Sequence, residues 1–587
     1  MKKALIGLLA LIGGLAILTL VAVAFLGLVI GLGQPGVPGD VVLQFDFEKG
    51  VVEALPDDPV AQVMLQGQTP VLDIVDALDR AATDRRVKAF VGRIGGGGIG
   101  LAHLQEIRDA VGRFRASGKR AIAFSETFGE FSAGNGGYYL ATAFDEIWLQ
   151  PSGDVAITGL MYESPFLRGT LEKLGVTPQM DQRYEYKNAM NLYTERAYTE
   201  PHRRAMQELM DSQFSQIVRG IAQGRKKTED EVRALFDRGP FLGQEAIDAG
   251  LVDGLAYEDE LYAKLRQEHG DDVDLLYLDK YLERAGSPHA KGTTIALVHA
   301  YGGVARGRGG YSPIDGSVTM GSDSVVEALR TAIDDDRVKA IVFRVDSPGG
   351  SYVASDTIWR ETRRAKDAGK PLIVSMGNVA GSGGYFVAMH ADKIVAQPGT
   401  ITGSIGVLGG KMLTAGLWDK IGLSWDEVHT SRNAPMFSGT HPYDETSWER
   451  FQAFLDRVYA DFTTKVADGR KLPIETVREV AKGRIWTGED AKRLGLVDEV
   501  GGVDTALGLA RAALSLDADE PIRVRVIPAK KSTFESLFAE KPDHRRAGVE
   551  ALVRTAQALQ PQVRLLGSIL ESRNAETLAM PETPPTP

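Results

Sequence analysis

The sequence predicts an α/β protein made of two copies of one domain, carried behind an N-terminal transmembrane helix. Three observations predict it. An uncharged run from Ala4 to Gly39 follows Lys2 and Lys3 at the start of the chain. Short blocks from the first half recur roughly 250 positions later, the mark of an internal duplication. Within each copy, apolar strand-like runs alternate with helical stretches across glycine turns, as in a mainly parallel sheet.

The N-terminal run is almost wholly apolar from Ala4 to Gly33. A bilayer core about 30 Å thick needs about 20 helical residues, so this run can span one. It is longer than the roughly 7–15 apolar residues of a cleavable signal, and Gln34-Pro35-Gly36 offers no small-residue cleavage site. The run is therefore read as an uncleaved anchor, residues 1–39. Lys2 and Lys3 stay cytoplasmic by the positive-inside rule, which puts the rest of the chain across the membrane. Gly27 and Gly31 form a GxxxG, a weak signal in a run so rich in glycine. Over the 587 residues, 67 basic and 78 acidic side chains give a formal net charge of −11. An acidic chain of this kind is not expected to bind nucleic acid. The absence of cysteine excludes disulfides, thiolate nucleophiles and Cys-ligated zinc.

The duplication is read from five matched blocks. Arg86-Val87-Lys88-Ala89 recurs as Arg337-Val338-Lys339-Ala340, at an offset of 251. Ala133 to Tyr138 recurs as Ala380 to Tyr385, and Gln150-Pro151 as Gln397-Pro398, both at 247. Gly224-Arg225-Lys226 recurs as Gly469-Arg470-Lys471, and Gly250 to Asp253 as Gly495 to Asp498, both at 245. The offset only falls, as small loop deletions after one duplication would make it. The domains expected are 40–285 and 286–525, joined through a Gly-Ser-Pro linker near Gly286, with a C-terminal helical extension and disordered tail over 526–587. In the second copy the pattern predicts strands at Val338–Val345, Pro371–Ser375 and Lys393–Ala396. It also predicts a helix at Tyr385–His390, entered through the turn at Gly381.

Ser382 falls where a strand ends and a helix begins, flanked by Gly381, Gly383 and Gly384. A helix N-terminus presents unpaired N–H groups and a positive dipole end, which suit a developing alkoxide or oxyanion. The same position suits a plain N-cap serine, so the motif alone leaves both readings open. The first copy has Asn135 there, so only the second copy could supply a hydroxyl nucleophile. A serine needs a base. His390 lies eight residues along the same helix, about 12 Å away, and His429 has no evident acidic partner. Lysine is the alternative. Tyr186-Lys187-Asn188-Ala189 aligns with Ser431-Arg432-Asn433-Ala434 at offset 245. Arginine stays protonated, whereas a desolvated lysine can be neutral. Each copy thus keeps one member of a possible pair, although Lys187 by its local sequence alone could equally be an exposed lysine.

With Asp346-Ser347-Pro348-Gly349-Gly350-Ser351, Gly381-Ser382-Gly383-Gly384-Tyr385 and Thr402-Gly403-Ser404-Ile405-Gly406, the chain resembles the long, tandem form of the S49 serine peptidase family over nearly its whole length. Gly381 departs from the alanine that many members carry. The resemblance implies a Clp protease and crotonase type of fold and a Ser-Lys dyad with Ser382 as nucleophile and Lys187 as general base. It also implies that Ser404 orients the lysine amine. Backbone N–H groups of Gly350 and Gly383 would then hold the oxyanion. No metal or organic cofactor is expected. The expected substrates are hydrophobic peptides such as cleaved signal peptides. The expected setting is the bacterial inner membrane, with the catalytic part on the extracytoplasmic side, the N-terminal helix in lipid, and a homotetrameric assembly. The alternatives are a crotonase-like acyl-CoA enzyme and a non-catalytic membrane scaffold. Gly95, Gly97 and Gly100 fit a dinucleotide GxGxxG, but they align with Asp346, Pro348 and Ser351 and read as a relaxed form of the same loop.

Overall fold

The computed structural model describes residues 36–528. The predicted anchor lies outside these residues except for its last four positions, and the C-terminal extension lies outside except for 526–528. Among the described residues no helix is long and apolar enough to cross a membrane.

The first half carries β1 (Val41–Asp46), β2 (Val87–Arg93), β3 (Arg120–Ser125), β4 (Glu146–Leu149), β5 (Thr177–Gln182), β6 (Gly254–Leu255) and β7 (Asp274–Tyr277). The second carries β8 (Thr293–Tyr301), β9 (Val338–Ser347), β10 (Leu372–Gly381), β11 (Lys393–Ala396), β12 (Ile401–Gly403), β13 (Leu408–Leu413), β14 (Ile485–Thr487), β15 (Glu499–Val500) and β16 (Ile522–Ile527). The first sheet has the order β6-β4-β3-β2-β1-β7. In the second, β15-β11-β10-β9-β8-β16 repeats that order strand for strand. All of these pairs are parallel. Apolar β-branched runs such as Val338 to Val345 form the central strands because both sheet faces are covered.

Two long helices show the duplication just as directly. Among the helices used below, α1 is Leu101–Ala116, α2 Asn135–Ala141, α3 Glu200–Arg225, α4 Tyr352–Asp367, α5 Gly383–Ala388, α6 Glu445–Arg470 and α7 Val503–Ala513. Helices α3 and α6 are both 26 residues long. Thr199 and Asp444 cap their N-termini through side-chain oxygens, and each helix ends at a left-handed lysine, Lys226 (φ 53°) and Lys471 (φ 54°).

The halves are not separate bodies in their packing. Val503, Ala506, Leu507 and Ala510 of α7, with Val342, Ile373 and Val395 of the second sheet, belong to the same buried apolar cluster as the core of the first half. A strand pair also crosses between the halves: β5 runs antiparallel to β13, with Gln182 opposite Leu408.

Several boundaries differ from the sequence expectation, and β9, for one, runs past Val345 to Ser347. Strand β10 does not stop at Ser375 but runs on to Gly381, because it changes neighbours: Ile373 to Ser375 pair with β11, and Val379 to Gly381 pair with β12. The following helix begins at Gly383 rather than Tyr385 and ends at Ala388, so Ser382 is the single residue between strand and helix.

Candidate active site

Strand β10 delivers Ser382 to the first turn of α5. Its backbone has φ 52° and ψ −114°, a conformation L-residues rarely adopt. The chain is held there by Ser382 N–H donating to Gly403 O at 2.8 Å and by Phe386 N–H donating to Ser382 O at 2.8 Å. The hydroxyl makes no capping bond. It accepts instead from Lys187 Nζ at 2.8 Å. The capping alternative for Ser382 is thereby answered by geometry.

The cross-half pairing explains how a residue 195 positions away arrives there. Past Gln182–Leu408, Arg183 N–H donates to Val407 O at 2.9 Å, and the antiparallel path carries Lys187 to Ser404. Lys187 Nζ donates to Ser404 Oγ at 2.9 Å and to Ser404 O at 3.0 Å. Ser404 is itself left-handed (φ 51°), with its N–H on Arg484 O at 2.7 Å. Lys187, Ser382 and Ser404 are all fully buried, at 0 % exposure. Burial lowers the Lys187 ammonium from its ordinary 10.5 to about 7, because an ammonium is costly to remove from water. The exposed-lysine alternative therefore does not describe Lys187. Arg432, its counterpart in the second half, is exposed.

Two glycines shape the lysine pocket, and the sequence did not single them out for it. Gly483 has φ +78°, and a Cβ there would lie 2.5 Å from both Lys187 N and Lys187 Cβ. A Cβ on Gly406 would lie 3.2 Å from Lys187 Cδ. Gly406 stands in a motif already noted, but no local signal marks Gly483.

Gly350 and Gly383 lie side by side. A Cβ on Gly383 would sit 3.1 Å from Gly350 N. Val304 donates to Gly349 O and accepts from Ser351 N–H, each at 2.8 Å, and this leaves the Gly350 N–H outside the bridge. Ser347 Oγ steadies the loop by donating to Gly302 O at 2.7 Å and accepting from Gly349 N–H at 3.2 Å. The assembled parts are thus a hydroxyl, a buried amine and two adjacent glycine amides. In the first half, Asn135 spends its side chain on the backbone of Thr158 and Gly159. Its Nδ2 donates to Gly159 O at 2.7 Å, and its Oδ1 accepts from Thr158 N–H at 3.0 Å. Neither histidine weighed as a base is beside Ser382: His390 packs its ring 6.1 Å from Trp359, and His429 is on the surface with Glu427.

Behind the Ser347–Gly350 loop lies a buried polar cluster that the sequence did not reveal. Arg344 donates to Glu53 through Nε (2.8 Å) and Nη2 (2.9 Å), to Glu106 Oε2 at 2.8 Å and to Ser375 Oγ at 2.9 Å. Burial pushes the Glu53 carboxyl up, but the Arg344 charge outweighs it and holds the group well below the usual range. Burial, with Glu53 nearby, raises Asp346 to about 6. Among the described residues, Glu53, His103 and Asp346 are the one trio whose ligand-type atoms come within 4.8 Å of one another. Both Glu53 oxygens already serve Arg344, and a cation there would face the guanidinium, so the trio reads as a hydrogen-bonded bridge.

Comparison with known proteins agrees with this architecture. The family model for Peptidase family S49 matches residues 113–272 and 364–517, one segment in each half. The chain is 32% identical over 458 residues to Protease 4 of Salmonella typhi, covering 76% of this chain and 72% of that one. It is 31% identical over 451 residues to the chloroplastic serine protease SPPA of Arabidopsis thaliana, covering 76% of this chain and 65% of that one. It is 35% identical over 179 residues to a putative signal peptide peptidase SppA of Enterococcus faecium, covering 30% of this chain and 52% of that one. The chain belongs to peptidase family S49. It is a serine peptidase of two S49 segments in a mixed α/β fold, similar to Protease 4 and SppA.

Proposed function

We propose that this protein is a membrane-anchored endopeptidase that cuts hydrophobic peptides with a Ser-Lys dyad formed across its two halves. The observation that carries this reading is the 2.8 Å contact between the fully buried Lys187 Nζ and Ser382 Oγ. Neutral Lys187 takes the Ser382 proton as Oγ attacks the peptide carbonyl. The Gly350 and Gly383 N–H groups receive the oxyanion. Lys187, now an ammonium held by Ser404, returns the proton to the departing amine. Water then attacks the acyl-enzyme with Lys187 again as base, and Ser382 is released.

Cleaved signal peptides are the substrates we infer, in keeping with the name of the Enterococcus relative and with an apolar N-terminal run long enough to anchor the enzyme in lipid. The Clp protease and crotonase type of fold, the extracytoplasmic site and the homotetramer belong to the same proposal. The test is hydrolysis of a fluorogenic apolar peptide, with fluorophosphonate labelling, in wild type, Ser382→Ala and Lys187→Ala. Both variants should stay folded and lose hydrolysis, and Ser382→Ala should lose the label. Full activity in Lys187→Ala would refute the dyad.

A further inference from the structure

On its β9 side the bulge that aims Ser382 is held by side chains rather than by the ladder, while Val379 to Gly381 stay paired with β12. Strands β9 and β10 pair normally up to Val345–Met376 and resume at Ser347–Ala380. Between those pairs Asp346 alone stands opposite Gly377, Asn378 and Val379. Two extra residues on one strand bend it and free its polar groups from the ladder, a device that re-aims side chains beside active sites. Each of the three has its own support. Asp346 Oδ1 accepts the Val379 N–H at 2.9 Å. A Cβ on Gly377 would lie 2.9 Å from Asp346 Cγ and from Glu53 Oε2, so only glycine fits beneath the cluster. Asn378 turns toward the other half of the chain.

There it meets the start of α1. Asn378 Oδ1 accepts the His103 N–H at 3.2 Å, one of the helix-start donors without an intrahelical partner. Asn378 Nδ2 donates to His103 Nδ1 at 2.8 Å, which leaves His103 Nε2 to donate to Glu53 Oε2 at 2.9 Å. His103 Nε2 is also 3.7 Å from Asp346 Oδ2. This close approach depends on Gly100, where a Cβ would fall 2.2 Å from Asn378 Oδ1. The third glycine of the apparent dinucleotide motif thus has a packing reason. Other charged or titratable groups around Asp346 are Arg344 on its own strand, which pairs with Glu53 and Glu106, and His299 and Tyr301 on β8. His299 is 3.6 Å from Glu53, and Tyr301 is paired in register with Asp346.

We propose that Asp346 and Asn378 are positioning residues for the peptidase reaction. They hold the bulge so that Ser382, three residues past Val379, and Gly350, four past Asp346, face one substrate carbonyl. The first half sets this geometry through Gly100 and His103, as well as supplying Lys187. The inference rests on the Ser-Lys reading but makes its own claim. Losing the bulge misplaces nucleophile against oxyanion donors and lowers turnover while leaving peptide binding intact, because small misplacements are felt in the transition state.

The experiment compares Asp346→Ala, Asp346→Asn and Gly100→Ala in the full-length protein in detergent. It measures kcat and KM on an apolar peptide, inhibition by a peptide aldehyde that mimics the tetrahedral oxyanion, and thermal melting as a folding control. Asp346→Ala, which lacks the acceptor for Val379, should lose about 10- to 100-fold in kcat with KM within about twofold. Its aldehyde affinity should fall in parallel. Asp346→Asn keeps the acceptor oxygen and should recover kcat to within about threefold of wild type. Gly100→Ala pushes on Asn378 from the other half, its Cβ falling 2.2 Å from Oδ1, and should lower kcat by about tenfold without raising KM. The proposal is overturned if Asp346→Ala retains full kcat, if Asp346→Asn is as impaired as Asp346→Ala, or if Gly100→Ala turns over normally. Should Asp346→Ala fail to fold, the Asp346→Asn and Gly100→Ala results decide the matter. Failure of the dyad would appear differently, as undiminished hydrolysis in Lys187→Ala whatever these variants do.

Discussion

If Lys187 is the base that activates Ser382, the rate of acylation must follow the neutral fraction of one buried amine. An ordinary lysine at 10.5 is neutral in only about one molecule in 3,000 at pH 7, whereas one lowered to about 7 is neutral in half of them. The pocket thereby multiplies the available base by about a thousandfold at neutral pH. The sign follows from the charge. Lowering pH protonates Lys187, so the rate falls about tenfold per unit below pH 7, reaching about 1% of its plateau at pH 5. Above pH 8 the rate is flat. The assay is the second-order rate of fluorophosphonate labelling of Ser382 from pH 5 to 9.5, with hydrolysis measured alongside. Lys187→Arg, which keeps a cation but no base, should lose about 10²- to 10⁴-fold at every pH and show no inflection near 7. A wild-type rate still climbing tenfold per unit between pH 8 and 9.5 would mean that the lysine is not depressed. A rate flat from pH 5 to 8 would mean that it is not the base.

Three other outcomes follow from the same pocket. Ser404→Ala removes one acceptor from Lys187 but leaves Ser404 O and Ser382 Oγ. The expected loss is about 10- to 100-fold in kcat, with Ser382 still labelled, measured by steady-state hydrolysis. Gly483→Ala would put a Cβ 2.5 Å from Lys187 at a φ of +78°. It should cost about 1–3 kcal/mol in stability by denaturant titration and abolish labelling as the lysine is displaced. The third concerns Lys187→Met, which fills the space without a charge. Because the folded-state value of Lys187 is depressed, its contribution to stability is greatest above the unfolded value of 10.5 and is lost as pH falls toward 7. Wild type should therefore gain about 2 kcal/mol on Lys187→Met between pH 7 and pH 9, read from denaturation midpoints at both pH values.

The parts of this molecule legible in its sequence are those that local pattern or internal comparison can reach. The five matched blocks correspond to a strand order repeated between two sheets. Setting Asn135 against Ser382 and Arg432 against Lys187 singled out two side chains that lie 2.8 Å apart. What stayed hidden was set by contacts between distant segments. Arg344 and Glu53 are 291 positions apart and form no motif. Gly483 looks like any turn glycine until Lys187 is laid against it. The extension of β10 to Gly381 was missed because Gly377 and Asn378 break the apolar run. Their support comes from Asp346 and the first half, not from their own neighbours.

The strand pair β5–β13 and the turn at Gly483 also bear on when the proposed dyad can assemble. Synthesis runs from N- to C-terminus, so Lys187 leaves the ribosome long before Ser382, and Gly483 follows later still. On the Ser-Lys reading, a nascent chain halted anywhere before that turn has a lysine without the wall that Gly483 lays against it. Assembly of the proposed dyad is thus deferred until both halves, through Gly483, have been made.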